Sequence, residues 1–317
     1  PGFSRYTLSG TGAAEWLRGQ IAGALPKAGR MNLGYFTDSR GRIVTEVTII
    51  RWGEDDFWIM TAALAQWHDL EFLQSRLPTD GSLTITDITK EWSTALVTGA
   101  QSRDLLSGIV EGADLTKGWL TLQDATIAGV PCKLMRISFC GELGWEVHTS
   151  FEESKSAYEA IRNAGAKPFG MYALNSMRIE KGYRTWKGDL STDYTLLEGG
   201  LKRFIRFDKP QDFVGKAALL AEKEAGVKKM FVTMTVDAPF ADAPYMSTIW
   251  NGDEVVGETT SGDWGFRVNK SIALGVVKAE LAVPGTELEI EIFGARCKAV
   301  VHADQPLWDP ENDRIRA

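Results

Sequence analysis

From Lys228 onward the helical signal disappears, and no other feature constrains the fold as much. The runs FVTMTV, EVVGETT, SIALGVV, ELEIEIF and CKAVVHA are short and rich in β-branched residues, with Gly, Pro, Asp and Asn between them. Such spacing leaves no room for helices and predicts a separate all-β module, a small barrel or a sandwich. The charged, glycine-containing AEKEAGVKK reads as the linker before it. With 317 residues the chain can bury more than one core, so other domains are expected upstream.

There the element types alternate. FSRYTL reads as a strand and TGAAEWLRGQIAG as a helix with Trp16, Leu17 and Ile21 on one side. In YFTDSRGRIVTEVTIIRW, Ser39-Arg40-Gly41 is a turn between two β-rich runs, a hairpin signal, and DDFWIM continues the strands. Between Thr61 and Leu77 the period becomes helical, with Trp67, Leu70, Leu73 and Leu77 marking one face. WSTALVTG, KLMRISF and GWEVHT are strands again. FEESKSAYEAIRNAG and GMYALNSMRIEKG are helices that stop at Gly165 and Gly182.

Composition removes several function classes. A net charge of −7 gives no basic footprint, so neither nucleic acid nor a membrane is expected as a partner, although a local basic pocket is compatible with it. There is no apolar run of membrane-spanning length and no signal peptide. Cys132, Cys140 and Cys297 are odd in number and lack a CxxC, and His68, His148 and His302 lack metal-ligand spacing. Neither a disulfide framework nor a metal site is expected. A reducing, cytoplasmic compartment fits, or the mitochondrial matrix in a eukaryote. The opening PGFSRYTLSG lacks an initiator Met and reads as a processed or truncated start. Dinucleotide, P-loop and GxSxG fingerprints are missing.

What remains is carboxylates among aromatics. Residues 177–201, MRIEKGYRTWKGDLSTDYTLLEGGL, are too polar for a plain core element and too aromatic for a solvated linker. Such a segment builds a site or a tight internal crossing of the chain. Glu180 lies near a helix C-terminus, where the dipole opposes it, so a donor should face it: a ligand, or Arg178, Lys181 or Arg184. Trp186 is either core or a stacking wall. Asp69, in QWHDLEFL, is either an exposed helix residue or a functional one.

RIEKGYRTWKGDLSTDYTLLEGGL resembles a stretch of the folate-binding aminomethyltransferase family, the glycine-cleavage T-protein superfamily. Three other stretches agree in order: YFTDSRGRIVTEVTI, ISFCGELGWEVH and the Thr-Ser-Gly-bearing VVGETTSGDWGFRVNKSIALGVV. GELGWEVH, MRIEKGYR and DFVGKAAL are most similar to the C-terminal half of dimethylglycine dehydrogenase, dimethylglycine oxidase and sarcosine dehydrogenase. The resemblance implies an α+β, three-domain cloverleaf with a C-terminal β-barrel. The expected division is a discontinuous folate-binding domain (1–45 plus 125–225), a second α+β domain (46–124) and the barrel (228–317). Relatives start further upstream, so a first helix is expected to be missing.

The same resemblance implies tetrahydrofolate-dependent one-carbon transfer, with methylenetetrahydrofolate as product and a small N-methylated amine as donor. FAD would sit on a flavin-containing domain or subunit absent from this chain. Asp69 takes the place of the catalytic aspartate beside the reactive folate nitrogen. Glu180 takes that of the glutamate gripping the pterin by a bidentate, charge-assisted pairing. Trp186 stands where many relatives have tyrosine, keeping a ring wall without its hydroxyl. Lys209 stands where glycine-cleavage members have arginine, keeping the charge without the planar fork. Tyr35 and Phe139, from the first two agreeing stretches, are further expected folate contacts. Two alternatives stay open: methyl transfer to folate from a sulfonium or aryl-ether donor, and non-catalytic folate binding. The latter relatives carry a cysteine motif not seen around Cys132, Cys140 or Cys297.

Overall fold

The computed structural model describes residues 2–303 and 305–317. Five antiparallel strands form the first sheet: β1 (Phe3–Ser9), β2 (Arg30–Thr37), β3 (Ile43–Arg51), β4 (Asp56–Ala62) and β5 (Thr84–Asp87), in the order β2-β3-β4-β1-β5. The expected hairpin is β2–β3, closed by the Asp38 amide donating to the Arg42 carbonyl, with Gly41 at φ 78°. One sheet face carries Tyr6, Leu8, Phe36, Val47, Ile49, Phe57 and Ile59. Helices α1 (Ala13–Gln20) and α2 (Gln66–Ser75) cover it through Leu17 and Leu73. The other face, through Met31, Ile50, Trp58 and Met60, packs on Leu122 and Met135 of a second sheet.

That second sheet holds β6 (Trp92–Thr98), β7 (Val110–Glu111), β8 (Leu122–Ile127), β9 (Val130–Met135) and β10 (Gly144–Ser150), in the order β6-β10-β9-β8-β7. Helix α3 (Ser102–Ser107) and helix α4 (Ser154–Asn163) add Leu106, Ala157 and Ile161 to its core. Helix α5 (Met171–Glu180) then leads into the segment around Trp186, which returns to the first sheet. Trp186, Leu190, Leu196 and Leu197 share a core with Tyr35 and Ile43, and Leu219 of α6 (Lys216–Ala225) joins them. The expected linker is therefore partly helix: AEKEA closes α6, and the break is Gly226–Lys228.

The last module is a closed six-stranded barrel: β11 (Lys229–Val236), β12 (Thr248–Asn251), β13 (Glu254–Gly265), β14 (Lys270–Lys278), β15 (Glu287–Ile292) and β16 (Ala295–Ala303), in the order β11-β14-β13-β12-β15-β16. Closure removes the edge strands that a sandwich would leave. β12 is the strand that the sequence reading lacked.

The expected boundaries at 45/46 and 124/125 do not follow the sheets. The first falls inside β3 and the second inside β8. β1 is hydrogen-bonded to β4 and β5, so residues 3–87 form one sheet; residues 92–150 form the other. The division that the sheets draw is 3–87 plus the returning 186–225 segment, then 92–163.

Gly262 of the Thr-Ser-Gly motif lies against backbone. A Cβ there would stand 2.1 Å from the Ala243 carbonyl oxygen, which cannot rotate away. Gly262→Ala is expected to cost about 1–3 kcal/mol, as overpacking does. Thermal unfolding measures it, and an unchanged melting temperature would contradict the close approach.

Candidate active site at Asp69

Asp69 is not exposed. It sits in the first turn of α2 with zero solvent exposure, whereas Trp67 of the same turn is 70% exposed. Its surroundings include hydroxyls at core-facing positions of β1, β3 and β4. Ser4, Thr45 and Thr61 alternate with buried apolar residues along their strands, and all three are buried. Ser4 and Thr61 face each other across the β1–β4 pairing. Tyr6 follows on β1, and its hydroxyl donates to the Gln66 carbonyl at 2.6 Å.

The two Asp69 oxygens are treated differently. Oδ1 is 2.9 Å from Nδ1 of His68, a half-exposed ring. Oδ2 is buried with no partner of hydrogen-bond geometry among the described residues, and so are Thr61 Oγ1 and Ser4 Oγ. Burial raises the Asp69 pKa above the ordinary carboxylate value, while His68, Thr61 and Thr45 oppose the rise. Buried polar atoms are normally satisfied, because an unpaired one costs about 1–3 kcal/mol. Asp69 Oδ2 and Thr61 Oγ1 lie close together in this interior, where a polar group of a ligand can complete the bonding.

Tyr35 and Trp186 lie in a separate core, on the face of the first sheet opposite the Ser4, Thr45 and Thr61 hydroxyls. They share one core with Ala62 and Ala65, the residues that lead into Asp69's helix. Trp186 is 5% exposed, and its indole Nε1 is buried without a partner among the described residues. Tyr35 is buried too, its ring 5.4 Å from that of Phe204, and its hydroxyl donates to Glu46 Oε2 at 2.6 Å. Burial raises the pKa of Glu46; the Tyr35 hydroxyl and the positive charge of Arg184 oppose it.

The remaining expected residues have other partners. The Glu180 donor is Arg267, not Arg178, Lys181 or Arg184. The Arg267 backbone amide donates to Oε1 at 2.6 Å, its Nε to Oε2, and the Val268 amide to Oε1 at 3.3 Å. Arg267 also reaches Glu142 and the Met177 carbonyl. Lys209 donates to the Arg18 and Ile21 carbonyls, closing the C-terminus of α1, where a cation suits the dipole. Burial brings its pKa down to about 8. Phe139 stacks on Tyr183 with centroids 5.9 Å apart. An open groove lined by Thr94, Val147, Lys155 and Tyr158 lies on the second sheet and holds none of the expected residues.

The 177–201 segment is also a tight internal crossing. Asp189, fully buried, accepts from Arg178 Nη1 at 2.5 Å, from the Thr185 amide at 2.9 Å, from Thr185 Oγ1 at 3.1 Å and from Thr260 Oγ1 at 2.6 Å. Arg178 also donates to Ser261 Oγ at 2.7 Å. The segment is thereby tied to the barrel at Thr260-Ser261-Gly262.

The sequence reading missed Ser4, Thr45, Thr61 and Glu46. For the three hydroxyls a signal existed: each stands at the buried parity of an otherwise apolar strand face. Glu46 had none, since β3 turns it to the face opposite that of Thr45.

Comparison with known proteins agrees with this architecture. Residues 2–209 match the GCVT N-terminal domain family, and residues 229–309 match the glycine cleavage T-protein C-terminal barrel domain. Human mitochondrial dimethylglycine dehydrogenase is 31% identical over 99% of this chain, which spans 37% of that relative's length. Aminomethyltransferase from Bacillus cereus (strain ZK / E33L) is 30% identical over 82% of this chain and 72% of its own. A crystal structure of glycine cleavage system aminomethyltransferase T from Bartonella henselae superposes with a TM-score of 0.88 at 20% identity, covering 98% of this chain and 85% of that one. The chain belongs to the glycine cleavage T-protein family, whose members bind tetrahydrofolate and carry out folate-dependent aminomethyl transfer.

Proposed function

We propose that this chain captures on tetrahydrofolate the one-carbon unit released by oxidative demethylation of an N-methyl amine such as dimethylglycine or sarcosine. Support for that donor class comes from similarity to dimethylglycine dehydrogenase over 99% of the chain. Oxidation of the amine falls to a flavin-bearing domain or subunit, since these 317 residues carry no dinucleotide fingerprint. The observation that carries the reading is Asp69 Oδ2, a buried carboxylate oxygen with no hydrogen-bond partner among the described residues.

The residues fit in part. Asp69 would face the reactive nitrogen of the folate, and Trp186 would be a ring wall farther along the ligand. Glu180 and Lys209 are engaged by Arg267 and by the end of α1, so neither is assigned a ligand role. Bound tetrahydrofolate supplies the nitrogen nucleophile that receives the one-carbon unit. Asp69 Oδ2 accepts the proton that this nitrogen loses, and burial makes it a stronger base than an exposed aspartate. Its charge also favours positive charge developing beside it.

The test is product identity. Dimethylglycine labelled with carbon-13 in its methyl groups is oxidised by a separate flavoprotein in the presence of this chain and tetrahydrofolate. Label in the methylene carbon of methylenetetrahydrofolate, formed faster than without the chain, is expected. Label only in free formaldehyde, or in methyltetrahydrofolate, would contradict the reading.

A further inference from the structure

His68 stands beside Asp69 in a geometry that the proposed reaction does not by itself require. The carboxylate has no exposure, yet the imidazole on its Oδ1 is 50% exposed. An ionised carboxylate only accepts hydrogen bonds, so the Nδ1 tautomer that bonds it is the N–H form. That bond comes from the solvent side and takes one oxygen. The other is left beside Thr61 Oγ1, which is also without a partner among the described residues.

We propose that His68 is the positioning residue for Asp69: its Nδ1–H holds Oδ1 from outside and leaves Oδ2 as the free interior acceptor. This rests on the reading of Asp69 as the acting carboxylate. Among the groups packed around Asp69, His68 is the one that reaches Oδ1, at 2.9 Å. Thr45 of β3 and Thr61 of β4 approach from the sheet and favour the ionised form. The Tyr6 hydroxyl of β1 is turned to the Gln66 carbonyl, and Asp87 of β5 accepts from Gln66 Nε2 at 2.8 Å. Without His68 the carboxyl group can rotate, and burial acts on it with less opposition.

Two variants separate this role from simple packing. His68→Ala removes the donor. His68→Asn places an amide N–H near the position of Nδ1 but cannot titrate near neutral pH. His68→Ala is expected to lower the turnover number of transfer about tenfold or more while the Kd for tetrahydrofolate changes less than about threefold. The acid limb of its pH profile should move to higher pH. His68→Asn should recover most of the rate and return the acid limb. The Asp69 carboxyl pKa, read by carbon-13 NMR on ligand-free protein, should follow the same order.

A wild-type carboxyl pKa and acid limb in His68→Ala would overturn the proposal. So would an Asn variant as impaired as Ala. If the wild-type chain transfers nothing to folate, the proposed function fails, and the NMR titration still decides the role of His68.

Discussion

Asp69→Asn is expected to abolish transfer while leaving the protein folded and able to bind folate. The substitution keeps shape and hydrogen bonding but removes the basic oxygen. Turnover should fall about 100-fold to 10,000-fold, the usual contribution of a positioned general base. The stability effect has a definite sign. Burial raises the folded-state pKa of Asp69 above its unfolded value. Between those two values the unfolded state binds fewer protons, so stability falls as pH rises through that window, and the cost persists above it. Asparagine carries no such cost. At neutral pH the variant should melt no lower than wild type, and below the ordinary carboxylate range the two should converge. An inactive variant that melts well below wild type would mean that Asp69 is structural.

The second large effect belongs to Asp189→Ala. Asp189 and Arg178 are an ion pair with almost no exposure, and Asp189 also takes the Thr185 amide and two threonine hydroxyls. Truncating one side of a buried pair leaves the other charge uncompensated, at about 3–5 kcal/mol. The loss should appear in urea unfolding as a large fall in midpoint. It should loosen the link between the 185–190 turn and β13, since Thr260 and Arg178 lose their shared partner. A change below about 1 kcal/mol would show that the network is satisfied by water.

Legibility in the sequence followed the range of the interactions involved. The β2–β3 hairpin, the helices ending at Gly165 and Gly182, and the barrel as a class were visible because turns, caps and periodicity are local. β12 was missed because its four residues, TIWN, are too few to show alternation. The expected domain boundaries at 45/46 and 124/125 fall inside strands because strand partners are distant: β1 pairs with residues 56–62 and 84–87.

Asp69 shows why site and fold can mislead each other. Residues 67 and 69 lie about 200° apart on a helix. An apolar pattern that turns Trp67 inward must turn Asp69 outward. The fold does the reverse, burying Asp69 with Leu73 and leaving Trp67 in solvent. A helix that buries its carboxylate and exposes its indole breaks the expected pattern at the position proposed to act on folate. For Glu180 the helix-end argument required a donor, and one is there. Local spelling could not show that it is Arg267, 87 residues away.

The most direct test of the central claim is calorimetric titration of the chain with tetrahydrofolate, with Trp186→Ala measured beside it. The account predicts saturable one-to-one binding, with a Kd of about 1–100 μM, weakened at least about tenfold in the variant while its fold is kept. Absence of binding by the wild-type chain, or equal affinity in the variant, would contradict a folate site walled by Trp186 and served by Asp69.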